Sequence, residues 1–462
     1  MKLDARRRLL LQAAGGATAA AVAGRTTAQG AAPDGSAALR ARQRPPGVAL
    51  AAARITPDGV RFVFAPASAE GAPAVDADSR FEYGSITKTF TALLLADHVQ
   101  RGELGLNDAV DRALPDGLRL RDSAGAAITW ADLATHRSGL PRLPDNLDPT
   151  RPDPYATYGE TELKAFLRSW QPTQARDTRW AYSNLGFGLL GQALCWRAGK
   201  AFEVLLRERV LDPLGLQEVQ VARRPVAGLL RGYDAQGKPA PAWHLDAMAG
   251  AGALVGSARS LARYAQAALG LVNTPLQPAF KQALTLRAEG PAPHNRIALA
   301  WLGAPLGSRE LRLHDGGTAG HATSLCLEPA AQQAALVLSN GFGSVNDLAL
   351  HLLEPTLPVR DPGAELRATQ AAAITLPVEA LAPLTGRYRL NPQFALELRL
   401  REGRLFAQAT GQGEFELFAR GPRSFFARIT PLEITFDGNE GAPPVLTLRQ
   451  GGQTLVFRRE PS

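Results

Sequence analysis

Phe81-Glu82-Tyr83-Gly84-Ser85-Ile86-Thr87-Lys88 leads into a run, Ile86 to Arg101, whose Phe90, Leu93, Leu94, Leu95 and Val99 are apolar almost all round before Gly102 stops it. That pattern predicts a buried helix ended by glycine, not an amphipathic surface helix. With Ser85 at the helix start, Lys88 at i+3 returns to the same face, beside the hydroxyl. A lysine in an apolar surround gives up its proton readily and can then accept one from a serine. The chain has six lysines, 45 arginines and 16 serines, so chance supplies roughly 0.2 Ser-x-x-Lys pairs in this length. Alone, the spacing fits a capped helix with a solvated lysine equally well.

Working outward, Val48 to Ile55 and Val60 to Phe64 are apolar or alternating runs joined by Thr56-Pro57-Asp58-Gly59, which reads as a hairpin. Residues 103 to 290 read mainly as helices and long loops, including the Pro/Asp-rich Pro144 to Pro154. Strand patterns return at Ile297 to Trp301, Leu311 to His314, Thr323 to Leu327 and Ala334 to Ser339, followed by a helix from Val345 to Leu353. This order predicts an α+β fold, an antiparallel sheet flanked by helices with a mostly helical insertion, and not a doubly wound sheet. Residues 355 to 375 read as a linker with Pro355, Pro358 and Pro362. Beyond it, eight short alternating segments between Gly386 and Arg458, with turns such as Glu402-Gly403 and Gly451-Gly452, predict a small all-β barrel or sandwich over 376–462.

The 462 residues allow about three domains at ~150 residues each, or one large and one small. Hydrophobic residues at 45% and charged residues at 20% argue against wholesale disorder, collagen-like repeats and a multi-span membrane protein. Residues 1–28 place Arg6-Arg7-Arg8 before an apolar stretch and a small-residue site at Thr26-Thr27-Ala28. They read as a twin-arginine-like export signal cleaved near Ala28, so the mature chain, 29–354 followed by the linker and tail, is expected to be periplasmic or secreted. Much of the net charge of +8 lies in that segment, and the remaining arginines are scattered, which argues against nucleic acid as a partner. No stable membrane span is expected in the mature form. Cys195 and Cys326 are too few for a disulfide framework and read as buried free thiols, with one bridge between them as the alternative.

Two further motifs accompany Ser85 and Lys88. Tyr182-Ser183-Asn184 holds the one Tyr-x-Asn among seven tyrosines, and His314-Asp315-Gly316 the one His-x-Gly among seven histidines. With these in sequence order, the chain resembles the class C β-lactamase and penicillin-binding protein superfamily of serine hydrolases over about residues 45 to 353. Leu133 to Pro141, Pro213-Leu214-Gly215-Leu216 and Gly316 to Gly320 are similar as well, and the tail resembles the accessory domain of some members. The resemblance implies a β-lactamase/transpeptidase-like fold, no cofactor and no metal, with Ser85 as nucleophile and Lys88 beside it in proton transfer. It makes Tyr182 the residue that exchanges protons with serine, leaving group and water, and Asn184 the partner of the substrate's acyl carbonyl. The N–H groups of Ser85 and Gly317 would form the oxyanion hole, with His314, Asp315 and Thr318 as further substrate-binding positions. Whether Lys88 or Tyr182 is the acylation base stays open.

One position departs from the resembling pattern. Where β-lactamases and carboxypeptidases usually carry lysine and a hydroxyl residue that bind a substrate carboxylate, this chain has His314 and Asp315. A negative Asp315 would repel a carboxylate unless Arg137 or Arg142 intervened. The expected substrate is thus a small ester or amide, possible substrates including β-lactams or D-amino-acid peptides. The alternatives are a D-Ala-D-Ala carboxypeptidase, a true class C β-lactamase, or a penicillin sensor that does not turn over. Gly186-Phe187-Gly188-Leu189-Leu190-Gly191 satisfies a dinucleotide fingerprint but lacks the preceding strand, and reads as a helix packed through its glycines. No Gly-x-Ser-x-Gly elbow and no His-Glu-x-x-His occurs, which removes the ordinary α/β-hydrolase and the zinc hydrolase.

Overall fold

Thr56 pairs with Gly59 across Pro57 and Asp58, so the opening hairpin forms on the turn the sequence offers. A computed structural model describes residues 36–42, 44–148, 151–234, 236–291, 295–360, 373–391, 394–409, 414–427, 432–438, 441–450 and 453–460. The expected export signal at 1–28 and residues 361–372 of the expected linker lie outside the described residues. The chain divides into two compact units, one within Ala19–Val359 and one containing Arg360–Ser462.

In the first unit the strands are β1 (Leu50–Thr56), β2 (Gly59–Ala65), β3 (Arg80–Glu82), β4 (Gln220–Val221), β5 (Gly232–Tyr233), β6 (Pro239–Ala240) and β7 (Leu254–Ser257), then β8 (Ala288–Glu289), β9 (Arg296–Ile297), β10 (Leu302–Leu306), β11 (Arg309–Gly317), β12 (Ala322–Glu328) and β13 (Gln333–Ser339). Eight of them form an antiparallel sheet in the order β2-β1-β13-β12-β11-β10-β9-β8. Because side chains alternate, β1 sends Ala51, Ala53 and Ile55 into the large core and Leu50 and Ala52 into a second core against the helix Asn346–Leu353. Both faces of the sheet are therefore covered, which explains runs that are apolar without a break.

The helix Thr87–Gln100 is buried from Thr87 to His98, with Phe90 stacked on Tyr264 at 4.0 Å between ring centroids. The helix Asn184–Ala198 is capped by the Ser183 hydroxyl, which accepts from Gly186 N at 2.8 Å, and ends on Gly199 at φ +64°. Its glycines serve packing, as expected: a Cβ on Gly191 would lie 3.1 Å from Gly250 Cα, and one on Gly188 2.6 Å from Met248 Sδ. Two strands of the insertion, β7 and β4, join β3 in a three-stranded sheet, β3-β7-β4, that the sequence pattern did not reveal.

The predicted strand over Ile297 to Trp301 is a correction. Pairing stops at Ile297 and resumes at Leu302 because Ala300 turns at φ +67° and donates its N–H to Ala134 O at 2.8 Å. The apolar run is buried there as a tight turn, not as a strand.

In the second unit, β14 (Gly386–Asn391), β15 (Phe394–Arg401), β16 (Arg404–Ala409), β17 (Glu414–Gly421), β18 (Ser424–Ala427), β19 (Leu432–Phe436), β20 (Val445–Gln450) and β21 (Gln453–Arg459) pair in sequence order and close into a barrel. Leu396, Leu398, Leu405, Phe415, Phe425, Ile434 and Phe457 belong to its own core. Of the two expected forms, barrel and sandwich, the chain takes the barrel, which leaves no open sheet edge.

Candidate active site

Ser85 sits in a single 3₁₀ turn, Gly84–Ile86, and the α-helix begins two residues later at Thr87. Gly84 adopts φ +51°, and a Cβ there would lie 2.8 Å from Gly317 N. Gly316 is held as tightly, since a Cβ on it would overlap the Tyr83 carbonyl oxygen and stand 3.1 Å from Ser85 N. Only glycine at these two places lets the end of β11 press against the Ser85 turn. That close approach brings Ser85 and Gly317 to one narrow cleft, lined also by Asn184, Tyr155, Trp243 and Ala251.

Lys88 is fully buried and donates to Ser85 Oγ at 2.9 Å and to Ala251 O at 2.6 Å. Burial pushes its pKa well below the ordinary lysine value; the Arg142 guanidinium lowers it further, and Asp315 opposes the shift. Tyr182 lies beside Ser85, close enough for the two hydroxyls to interact, and Lys88 Nζ stands 5.0 Å from the Tyr182 ring centroid. Burial raises the Tyr182 pKa well above the usual phenol value, although the Ser85 hydroxyl and Arg142 pull it down. Burial thus disfavours the charged form of both groups, the Lys88 ammonium and the Tyr182 phenolate.

His136 holds Tyr182 in place. Its carbonyl accepts from Ala181 N at 2.8 Å, its Nδ1 accepts from Ser183 N at 3.1 Å, and its ring lies 4.4 Å from the Tyr182 ring. The Arg142 guanidinium stands 5.0 Å from the same ring's centroid. Asn184 opens the following helix, and its Oδ1 is buried with no hydrogen-bond partner among the described residues, at the cleft wall.

His314 lies 6.5 Å from Tyr182 between ring centroids, and its Nδ1–H donates to Asp315 O at 2.7 Å. Burial, aided by Lys88, pushes its pKa down to about 3, so the imidazole is neutral. Asp315 lies on the opposite face of β11, in step with Leu311 and Leu313, which pack in the second core. Burial raises the pKa of its carboxyl, and Lys88, Arg142 and Asn346 oppose the shift. Thr318 is turned to the interior, its hydroxyl donating to Glu82 Oε2 at 2.6 Å. The structure thus brings Ser85, Lys88, Tyr182, Asn184, His314 and Gly317 together, and holds Asp315 and Thr318 on other partners.

Sequence reasoning missed the Arg142 stack, the aromatic wall of Tyr155 and Trp243 at 5.1 Å, and the buried Glu82. A signal existed for Glu82: a lone carboxylate between Phe81 and Tyr83 in a buried stretch must have partners.

Fold and site together define the β-lactamase/transpeptidase-like class. A family model described as Beta-lactamase matches residues 20–354, and the chain belongs to that family, whose members are serine hydrolases. A β-lactamase of Pseudomonas fluorescens is 30% identical over 182 residues, 38% of this chain and 47% of its own length. The D-alanyl-D-alanine-carboxypeptidase/endopeptidase AmpH of Escherichia coli K12 is 33% identical over 156 residues, 32% of this chain and 38% of its own. The chain thus spans less than half the length of these curated relatives. In fold it is similar to a class C β-lactamase from Rhodobacter sphaeroides, with TM-score 0.59, 23% identity and coverage of 70% of this chain and 98% of the other. It is similar also to an octameric penicillin-binding protein homologue from Pyrococcus abyssi, with TM-score 0.60, 19% identity and coverage of 91% and 97%.

Proposed function

We propose that the chain is a hydrolase that cleaves small ester or uncharged amide substrates through an acyl-enzyme on Ser85. The observation that carries this reading is the Ser85 hydroxyl set between the buried Lys88 amine and the Tyr182 hydroxyl. As Ser85 Oγ attacks the substrate carbonyl carbon, neutral Lys88 takes the serine proton. The carbonyl π electrons move to oxygen, where the N–H groups of Ser85 and Gly317 receive the charge. When the intermediate collapses, Tyr182 gives its proton to the leaving oxygen or nitrogen and is reprotonated from Lys88. Water then attacks the acyl carbon, its proton passing to the same pair, and Ser85 leaves as the restored hydroxyl. The opposite pKa displacements of Lys88 and Tyr182 favour lysine as the acylation base. Asn184 is assigned the substrate's acyl-side amide.

Neutral His314 followed by Asp315 presents no positive charge along this part of β11, which favours uncharged acyl donors. The second reading, β-lactam or D-Ala-D-Ala hydrolysis, is favoured by the names of the relatives. Nitrocefin, p-nitrophenyl acetate and a D-Ala-D-Ala peptide assayed on one batch separate the two. The ester should give the highest kcat/KM, and Ser85→Ala should lower it by at least about a thousandfold. A higher kcat/KM for nitrocefin or the peptide would favour the second reading, and an active Ser85→Ala would remove both.

A further inference from the structure

We propose that Glu82 is a positioning residue that sets the Gly317 N–H of the oxyanion hole against the Ser85 turn, an inference that rests on reading Ser85 as the nucleophile. Glu82 is buried at the end of β3, three residues before Ser85. Its Oε1 accepts from Trp243 N at 2.7 Å, and its Oε2 accepts from Thr318 Oγ1 at 2.6 Å and from His321 Nδ1 at 2.8 Å. Each donor belongs to a segment that borders the cleft. Trp243 lines it directly, and Thr318 follows Gly317 at the end of β11. Residues 318–321 form a closed turn, with Thr318 N donating to His321 O at 2.9 Å and His321 N donating to Thr318 Oγ1 at 3.1 Å.

One carboxylate therefore ties together the strand that feeds the nucleophile, the turn that directly follows Gly317 and the segment that supplies Trp243. A buried carboxylate must be satisfied, and these three donors satisfy it at fixed geometry. An ionised Glu82 can only accept, so the His321 proton must sit on Nδ1. The hydrogen bonds from His321, Thr318 and Trp243 hold Glu82 below the usual carboxylate range although burial alone would raise it. A second tie lies beside the first, Thr323 Oγ1 donating to Tyr83 O at 2.9 Å. Glu82 touches no reacting atom in this account and acts through Gly317.

The test compares wild type with Glu82→Gln, Thr318→Val and Thr318→Ser. For p-nitrophenyl acetate, Glu82→Gln and Thr318→Val should lower kcat by about ten- to a hundredfold with KM nearly unchanged, the scale of a misplaced transition-state contact. Affinity for phenylboronic acid should fall in parallel, melting temperatures should stay within a few degrees, and Thr318→Ser should restore kcat. Thr318→Val removes one hydrogen bond and keeps the test open if Glu82→Gln does not fold. Hydrogen exchange across residues 311–321 should rise in Glu82→Gln, a readout independent of turnover, so a wild type inert to acylation would sink the Ser85 reading and leave the tie still measurable. Folded variants with wild-type kcat, boronate affinity and exchange would overturn the inference.

Discussion

Two charges act on Lys88 in opposite senses, Arg142 lowering its pKa and Asp315 raising it, both on top of the larger lowering by burial. If neutral Lys88 is the acylation base, kcat/KM is full above its pKa and falls as pH drops through it. Removing the Arg142 charge lets that pKa rise, so Arg142→Gln should move the acidic limb to higher pH. Removing the Asp315 charge lets it fall, so Asp315→Asn should move the limb to lower pH. A pH–rate series on the three proteins checks this, and shifts of the same sign would contradict it. Ser85, Lys88, Tyr182 and His314 were legible in the sequence because short motifs hold them. Glu82 and His321 were not, because 239 positions separate them and only the folded chain makes them neighbours.

The helix Asn184–Ala198 reaches the site through its packing. Gly191 lies against Gly250 in the short helix Ala249–Gly252, whose Ala251 carbonyl anchors Lys88. A Cβ on Gly250 would stand 2.7 Å from Phe187 O, a backbone atom with little room to give. Gly250→Ala should therefore destabilise, since overpacking costs about 1 to 3 kcal/mol against roughly 0.5 to 1 kcal/mol gained by restricting a glycine. Chemical denaturation checks the sign, and an equally or more stable variant would show that the two helices separate freely. The same glycines made the sequence mimic a dinucleotide fingerprint, and the absent strand before them decided the reading. The barrel strands were legible because period-2 alternation is clean in β16, β17 and β19. β3, β4 and β7, of three, two and four residues, were too short to show a period.

Across the whole molecule, each unit has its own apolar core. All six tryptophans, Trp130, Trp170, Trp180, Trp196, Trp243 and Trp301, belong to the first unit. Tryptophan fluorescence therefore reports on that unit alone, whereas far-UV circular dichroism sees both. Denaturation followed by the two probes should give transitions that do not coincide, and superimposable curves would mean that the units unfold as one. The central claim, that Ser85 is acylated, concerns the intact chain and is tested most directly by mass. After treatment with a fluorophosphonate, intact-mass measurement and peptide mapping should show one adduct, on Ser85, abolished in Ser85→Ala and slowed in Lys88→Met. An adduct on another serine, or labelling that survives in Ser85→Ala, would contradict the account.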